Sequence, residues 1–581
     1  MRRETSRGCA EISPCRPDGK GVLAAALSLL LAACATAPAA RSYDTVIRGG
    51  TIYDGGGGAP YQGDVGLRGD RIAYVGPRLD GSARKEIDAS GLAVAPGFIN
   101  MLSWATEALI ADPRAQSDIR QGVTLEVMGE GESMGPLSRQ MILNETKRQG
   151  DIRYIVDWTT LGGYLSRMEK KGVSPNIASF VGATTVRVHE LGEGDVDPTP
   201  AQLARMRALV REAMNEGAMG VGSSLIYAPA YFAETPELVA LATEAGKCGG
   251  IYISHMRDEG PRLLEAIDEL VAISAQSGAP AEIYHFKQSG KSNWGKIDEA
   301  IARVEAARAR GLRITADMYT YAASSTGLDA AMPLWVQEGG IEAWVGRLKD
   351  PAARARALAE MRSGKVSENS DLVVREPAKV LLLGFKTEAL KPLAGKTLEE
   401  VARARGKSPE ETAADLIVED NSRIQVAYFS MSEDNVRRAA ALPWMSFGSD
   451  ASAQAPEGVF LKSSTHPSAY GNFARVLGKF ARDEKVMTVQ EAVRRMTSFP
   501  AGNLGLRDRG ALKPGHFADL AIFDPATIRD KATFAQPQRY ATGMRHVFVN
   551  GVAVLKDGEH TGATPGRFVK GPGTGQCPPV G

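Results

Sequence analysis

Residues 250–287 read GIYISHMRDEGPRLLEAIDELVAISAQSGAPAEIYHFK. A short apolar run rich in strand formers, IYIS, ends in His255. After a polar turn, PRLLEAIDELVAISAQSG carries apolar residues at helical spacing and stops at Gly278. A second apolar run, EIY, then ends in His285. Strand, helix and strand in close succession make a βαβ unit, whose two strands must run parallel.

The texture repeats on both sides. Eight strand candidates stand in order: VAPGFIN (94–100), GVTLEVMG (122–129), NIASFVG (176–182), MGVGSSLIY (219–227), GIYISHMR (250–257), AEIYHFK (281–287), LRITADMYTY (312–321) and WMSFGSDA (444–451). Helical stretches follow most of them. Eight strand–helix units predict an α/β fold, a (β/α)8 TIM-type barrel over residues 95–499, with its chemistry at the C-terminal strand ends. Residues 330–440 separate the last two strands and carry charged helical segments, so an inserted subdomain is expected there, placed as a lid. Residues 43–94 and 500–565 both show short alternating strands broken by Gly turns. They are expected to combine into one small β-sandwich domain built from both chain ends, with 566–581 as a tail.

The first 42 residues are not fold. Arg2, Arg3, Arg7, Arg16 and Lys20 precede the apolar GVLAAALSLLLAAC, residues 21–34. That is the layout of an export signal, too short to span a bilayer. The ending LAAC resembles a lipobox, which implies a signal peptide cleaved before a lipidated Cys34 and an exported, periplasmic or cell-envelope lipoprotein. Cys248 is expected to be a small core residue, and no disulfide is called for in so large a chain. No C-x-x-C pair is present, which argues against cysteine-based zinc or redox chemistry. The chain of 581 residues has a net charge of +1 and no basic tract. Nucleic acid is therefore not expected as a partner. A small-molecule substrate is, with membrane contact only through the lipid anchor.

There are seven histidines. His255 and His285 end consecutive strands, where two neutral imidazoles can share one divalent metal. Asp450 ends the eighth strand, where a carboxylate can take a proton from an activated water. Lys287 is a candidate for a substrate carboxylate. Tyr319 and Tyr321, at the end of strand seven, are candidates to donate to a developing oxyanion. His189 and His466 are placed in loops near the mouth; His516, His546 and His560 are expected to be structural.

These stretches, together with ISHMRDEGPRLLEAIDE, YHFKQSGKSNWGK, ITADMYTYAASSTGL, FGSDA, TSFPAGNLGLRDRGALKPGHFADLAIFDP and YATGMRHVFVNGVAV, resemble the amidohydrolase superfamily and, within it, the D-aminoacylase (N-acyl-D-amino-acid deacylase) group. The resemblance runs from about residue 43 to 570. It implies a metal-activated hydroxide attacking an amide carbonyl, with His255 and His285 as ligands and Asp450 as proton shuttle. The chain departs from the pattern twice. The group's strand-one His-x-His is Leu102 and Trp104 here. Its strand-two cysteine falls in VMGEGESMGP, where one anchoring gives Glu130 and another gives Gly131; Glu132 is the fallback. A carboxylate can ligate zinc and a glycine side chain cannot, so Glu130 is favoured. In the resembling group the strand-one pair and the strand-eight Asp serve a second, weaker metal position. Their partial loss implies one ion, Zn2+ or another divalent metal, on His255, His285 and Glu130, with Asp450 free as general base and Trp104 in the substrate wall.

The leading expectation is a metal-dependent hydrolase of N-acyl-amino acids, of the D hand, or of related small peptides. Hydrolysis of a cyclic amide or lactone on the same scaffold is one alternative. A non-catalytic binder with a degraded metal site is the other. Ala183 stands where the group often has a histidine, which puts the inherited substrate preference in question.

Overall fold

Parallel pairing runs through the middle of the chain as the βαβ pattern requires. The computed structural model describes residues 43–578; Cys34 and the export signal lie outside the described residues. The first barrel strand, Phe98–Asn100, pairs with the second, Val123–Met128, and that with the third, Asn176–Ser179. Val181–Gly182 carries the third strand on to the fourth, Gly220–Ser224. The fifth (Ile251–His255), sixth (Ala281–Ile283) and seventh (Ile314–Ala316) follow in order. Residues 444–451 form the eighth, which bridges Ala316 through Met445 and Ser103 through Ala451, both parallel, and so closes the ring. Buried polar bonds reinforce that seam: Ser449 N donates to Asn100 Oδ1 at 2.8 Å, and Asp450 N donates to the Leu102 carbonyl at 2.9 Å.

The strands were legible as apolar runs because each is buried on both faces. Alternate residues divide the work. Ile99, Leu125, Val127, Phe180, Ile251, Ile253 and Tyr284 pack in the interior of the ring, while Val123, Val221, Tyr252 and Ile283 pack outward in the cluster that includes helical residues such as Leu241, Leu270 and Val304.

The two chain ends meet in a single nine-stranded sheet. Tyr43–Ile52 pairs with Tyr61–Arg68 and Ala83–Asp88; Ala93–Pro96 pairs antiparallel with Leu520–Phe523, Ala95 opposite Ala521. Ile47, Val65, Leu67, Ile522 and Phe548 fill one core of this unit.

The insertion carries a sheet as well as helices: Ser324–Gly327, Gln425–Tyr428 and Val380–Gly384 form a three-stranded antiparallel sheet under its helices. It has its own core of Leu328, Leu358, Leu382, Leu416 and Val426. The strands are four or five residues long, too short to show a period. One expectation is corrected: Cys248 is not a lone core thiol but is disulfide-bonded to Cys577, 329 residues on. The tail is a strap, with Val569 N donating to Ile177 O, Gly571 N to Gly217 O and Gly575 N to Asn215 O before the disulfide fixes it.

Candidate metal centre

The fifth strand delivers His255 by simple alternation, since Ile251 and Ile253 point into the barrel and His255 is next on that side. His285 arrives differently. Tyr284 already takes the inward position, so a regular strand would turn His285 outward. The backbone instead enters the left-handed region at φ 35°, and the imidazole swings inward. Its amide is held by Asp317 Oδ1 at 2.9 Å. Asp450 makes the same kind of turn, at φ 48°.

Glu130 is set by its flanking glycines. Gly129 and Gly131 adopt φ 102° and 70°, and a Cβ on either would lie 2.3 Å from the Phe180 carbonyl or 2.4 Å from Ser224 Cβ. Only glycine lets this turn press against strands three and four and aim Glu130 at the axis.

The three side chains converge. Glu130 Oε1 lies 3.0 Å from His255 Nδ1 and 3.0 Å from His285 Nε2. The rings cross edge to face, centroids 4.4 Å apart, and all three residues are buried. One donor atom from each falls within 4.8 Å of the others, a spacing that fits one metal ion. Glu132 lies outside this group; its amide bonds the Glu130 carbonyl.

Charge ties the three groups to one another. Burial opposes the charge on Glu130, but the two imidazoles hold its carboxyl well below the usual range. Burial and the Lys287 cation oppose protonation of His285, yet Glu259 and Glu130 outweigh them and push its pKa up to about 10. For His255 burial wins and the shift is downward. Burial first, then the Glu130 charge, push Asp450 up to about 6, which keeps a carboxylate poised to exchange protons near neutrality.

Trp104 lies at the mouth, 39% exposed. Its indole N–H donates to Glu130 Oε2 at 3.0 Å and to Asp450 Oδ1 at 3.2 Å. Leu102 is buried in the interior cluster. Tyr319 stands beside the centre, its ring 6.4 Å from that of His285 and its hydroxyl on Met431 Sδ at 3.5 Å. Tyr321 turns away and donates to Asp530 Oδ2 at 3.1 Å. Lys287 is buried, not presented to a ligand: Nζ donates to Glu259 Oε1 at 2.6 Å and lies 2.6 Å from His285 Nδ1. His466 is a packed, neutral ring between Tyr319 and Tyr321, its pKa lowered to about 3 by burial. His189 lies in the helix Ala183–Leu191, not in a loop.

Three residues were not singled out from the sequence. Glu259 sits between the far sides of both histidines. Tyr227, whose ring is 5.2 Å from that of His255, forms a wall. Arg423, from the insertion, lies 4.6 Å over the Tyr227 ring and is anchored by Nε on Asp329 at 3.1 Å. Neither Glu259, in the polar turn after the fifth strand, nor Arg423, in a surface-type charged segment, carried a signal.

Known proteins resemble the chain along most of its length. The amidohydrolase family model matches residues 85–555. D-aminoacylase of Alcaligenes xylosoxydans xylosoxydans is 32% identical, covering 91% of this chain and 98% of its own. The structure of N-acyl-D-glutamate deacylase from Bordetella bronchiseptica, complexed with zinc and a phosphonate mimic of the tetrahedral intermediate, aligns at TM-score 0.75, 28% identity, 91% of this chain and 99% of that one. A D-aminoacylase structure described by one-metal activation and second-metal attenuation aligns at 0.74 and 32% identity, covering 91% and 100%. With two strand-end histidines, a strand-eight aspartate and a family match spanning barrel and flanking sheet, the chain belongs to the amidohydrolase family.

Proposed function

We propose that this chain is a zinc-dependent deacylase of N-acyl-D-amino acids. The observation that carries the reading is the meeting of Glu130 with His255 and His285 at 3.0 Å each, in a buried pole at the barrel mouth. The relatives named for D-aminoacylase and D-glutamate deacylase support the substrate class.

Glu130, His255 and His285 would hold one divalent metal, which when bound supplies Lewis acidity toward water and the amide carbonyl. Asp450, across the Trp104 N–H from Glu130, takes the proton from the attacking water and returns it to the departing amine nitrogen. Its raised pKa suits both transfers. The phenol of Tyr319, kept protonated by burial, lies beside His285 and steadies charge on the carbonyl oxygen. With the Lys287 ammonium engaged by Glu259 and His285, Arg423 at the Tyr227 wall offers a cation for the substrate carboxylate.

We further propose that the mature chain is exported and anchored through Cys34. The export-like N-terminus supports this, as does the Cys248–Cys577 disulfide, a bond that persists in oxidising compartments. Among the described residues no helix is long and apolar enough to cross a membrane. The test is release of free amino acid from N-acetyl-D- and L-amino acids, with a cyclic amide and a lactone beside them, before and after chelation and zinc return. Zinc-restored cleavage of the D-acyl substrates supports the reading; cleavage of the cyclic substrates alone contradicts it.

A further inference from the structure

The end of the first barrel strand carries Leu102 and Trp104 where two histidines would stand, yet residues 100–104 grip the turn that presents Asp450. Ser449 N donates to Asn100 Oδ1 at 2.8 Å, Asp450 N to the Leu102 carbonyl at 2.9 Å, and Trp104 N to the Ala451 carbonyl at 3.0 Å. Asn100 takes a second hold, its Nδ2 donating to Ser449 Oγ at 2.8 Å. The residue before Asp450 is thus fixed through both its backbone and its side chain. Asp450 itself stands at φ 48°, a conformation that a residue with a side chain keeps only where its surroundings impose it.

The Asn100 amide has one orientation here. The Ser449 N–H requires its oxygen on that side, and its nitrogen then donates to Glu126 Oε2 at 2.9 Å. Asn100, Glu126 and Ser449 are all fully buried. An aspartate at 100 would set two carboxyl groups against each other at that spacing. An apolar residue would leave the Ser449 N–H without its partner.

Resting on the reading of Asp450 as general base, we propose that Asn100 is the positioning residue of that base, with Glu126 setting the direction of its amide. Asn100 acts through Ser449 on the backbone of Asp450 and holds the carboxylate where the attacking water stands. A reacting group misplaced by about 1 Å can cost about 10²-fold in rate.

The test is a kinetic cycle on the zinc-loaded enzyme: wild type, Asn100→Asp, Asp450→Asn and both together. Asn100→Asp should lower kcat by about 10²-fold with KM and zinc content unchanged. In the Asp450→Asn background the same substitution should lower kcat no further, because the base it positions is already gone. A merely structural role would lower kcat in both backgrounds, and that result overturns the proposal. So does wild-type kcat in Asn100→Asp when Asp450→Asn is impaired; wild-type kcat in Asp450→Asn overturns the reading of the base as well. The exchange Asn100→Asp with Glu126→Gln again sets a donor against an acceptor, and it serves where Asn100→Asp alone does not fold. Its kcat should return to within about tenfold of the wild type. A kcat as low as that of Asp450→Asn overturns the proposal.

Discussion

The indole N–H of Trp104 reaches the carboxylate of Glu130, 3.0 Å from Oε2, and the same N–H lies 3.2 Å from Asp450 Oδ1. A neutral donor thus sits between a buried acid and a half-buried one, where the resembling group's pattern places a histidine. It offsets part of their mutual repulsion without adding a cation. Glu130 is then free to direct its other oxygen at the two imidazoles.

Asp450→Asn should leave zinc content at the wild-type level and lower kcat by about 10²–10⁴-fold, since an amide cannot accept the water proton. Metal analysis and steady-state kinetics on one preparation check it. A parallel loss of metal would make Asp450 a ligand instead.

Trp104→Phe should move the acid limb of kcat/KM to higher pH. Asp450 must be ionised to act as base, and its pKa is about 6 with the indole donor in place. Removing a hydrogen bond to the charged form raises that pKa further. A pH–rate profile of wild type and variant reads the shift; an unmoved limb would show that Trp104 does not tune Asp450.

Much of this was legible before any coordinates. The barrel strands announced themselves because burial on both faces leaves unbroken apolar runs, as in VTLEVM. His255 followed from alternation along its strand. Glu130 was legible only through the resemblance, as the ligand-capable residue at one of two anchorings of the strand-two cysteine position, the other giving Gly131. Glu259 was not: a glutamate in the polar turn RDEG reads as solvated, and only the fold shows that it lies between two imidazoles. Lys287 was expected to be open to substrate, yet its ammonium is buried on Glu259. The Cys248–Cys577 pair was hidden by its separation of 329 residues and by a Gly- and Pro-rich tail with no period.

That disulfide should matter to stability. Cys248→Ser, or reduction of the wild type, should cost about 2–5 kcal/mol and lower the melting temperature. Differential scanning calorimetry with and without reductant checks it. Equal melts would mean that the hydrogen bonds of the strap suffice.

Glu282 gives a pH dependence with a definite sign. Burial pushes its carboxyl up to about 7, against bonds from Thr315, Ser446 and Asn503 that favour the charge. The native state therefore keeps a proton that the unfolded chain has already released, so stability falls as pH rises from about 4.5 to about 7, by an amount on the order of 3 kcal/mol. Glu282→Gln should remove that slope, matching or exceeding the wild type at pH 8. Urea unfolding at a series of pH values measures it; an unchanged slope would place the titration elsewhere.

The central claim is a single metal held by Glu130, His255 and His285. Metal analysis of purified wild type and Glu130→Gln, loaded with excess zinc and then desalted, tests it most directly. The account predicts about one zinc per chain in the wild type and close to none in the variant. Two zincs per wild-type chain, or a full equivalent retained without the Glu130 carboxylate, would contradict it.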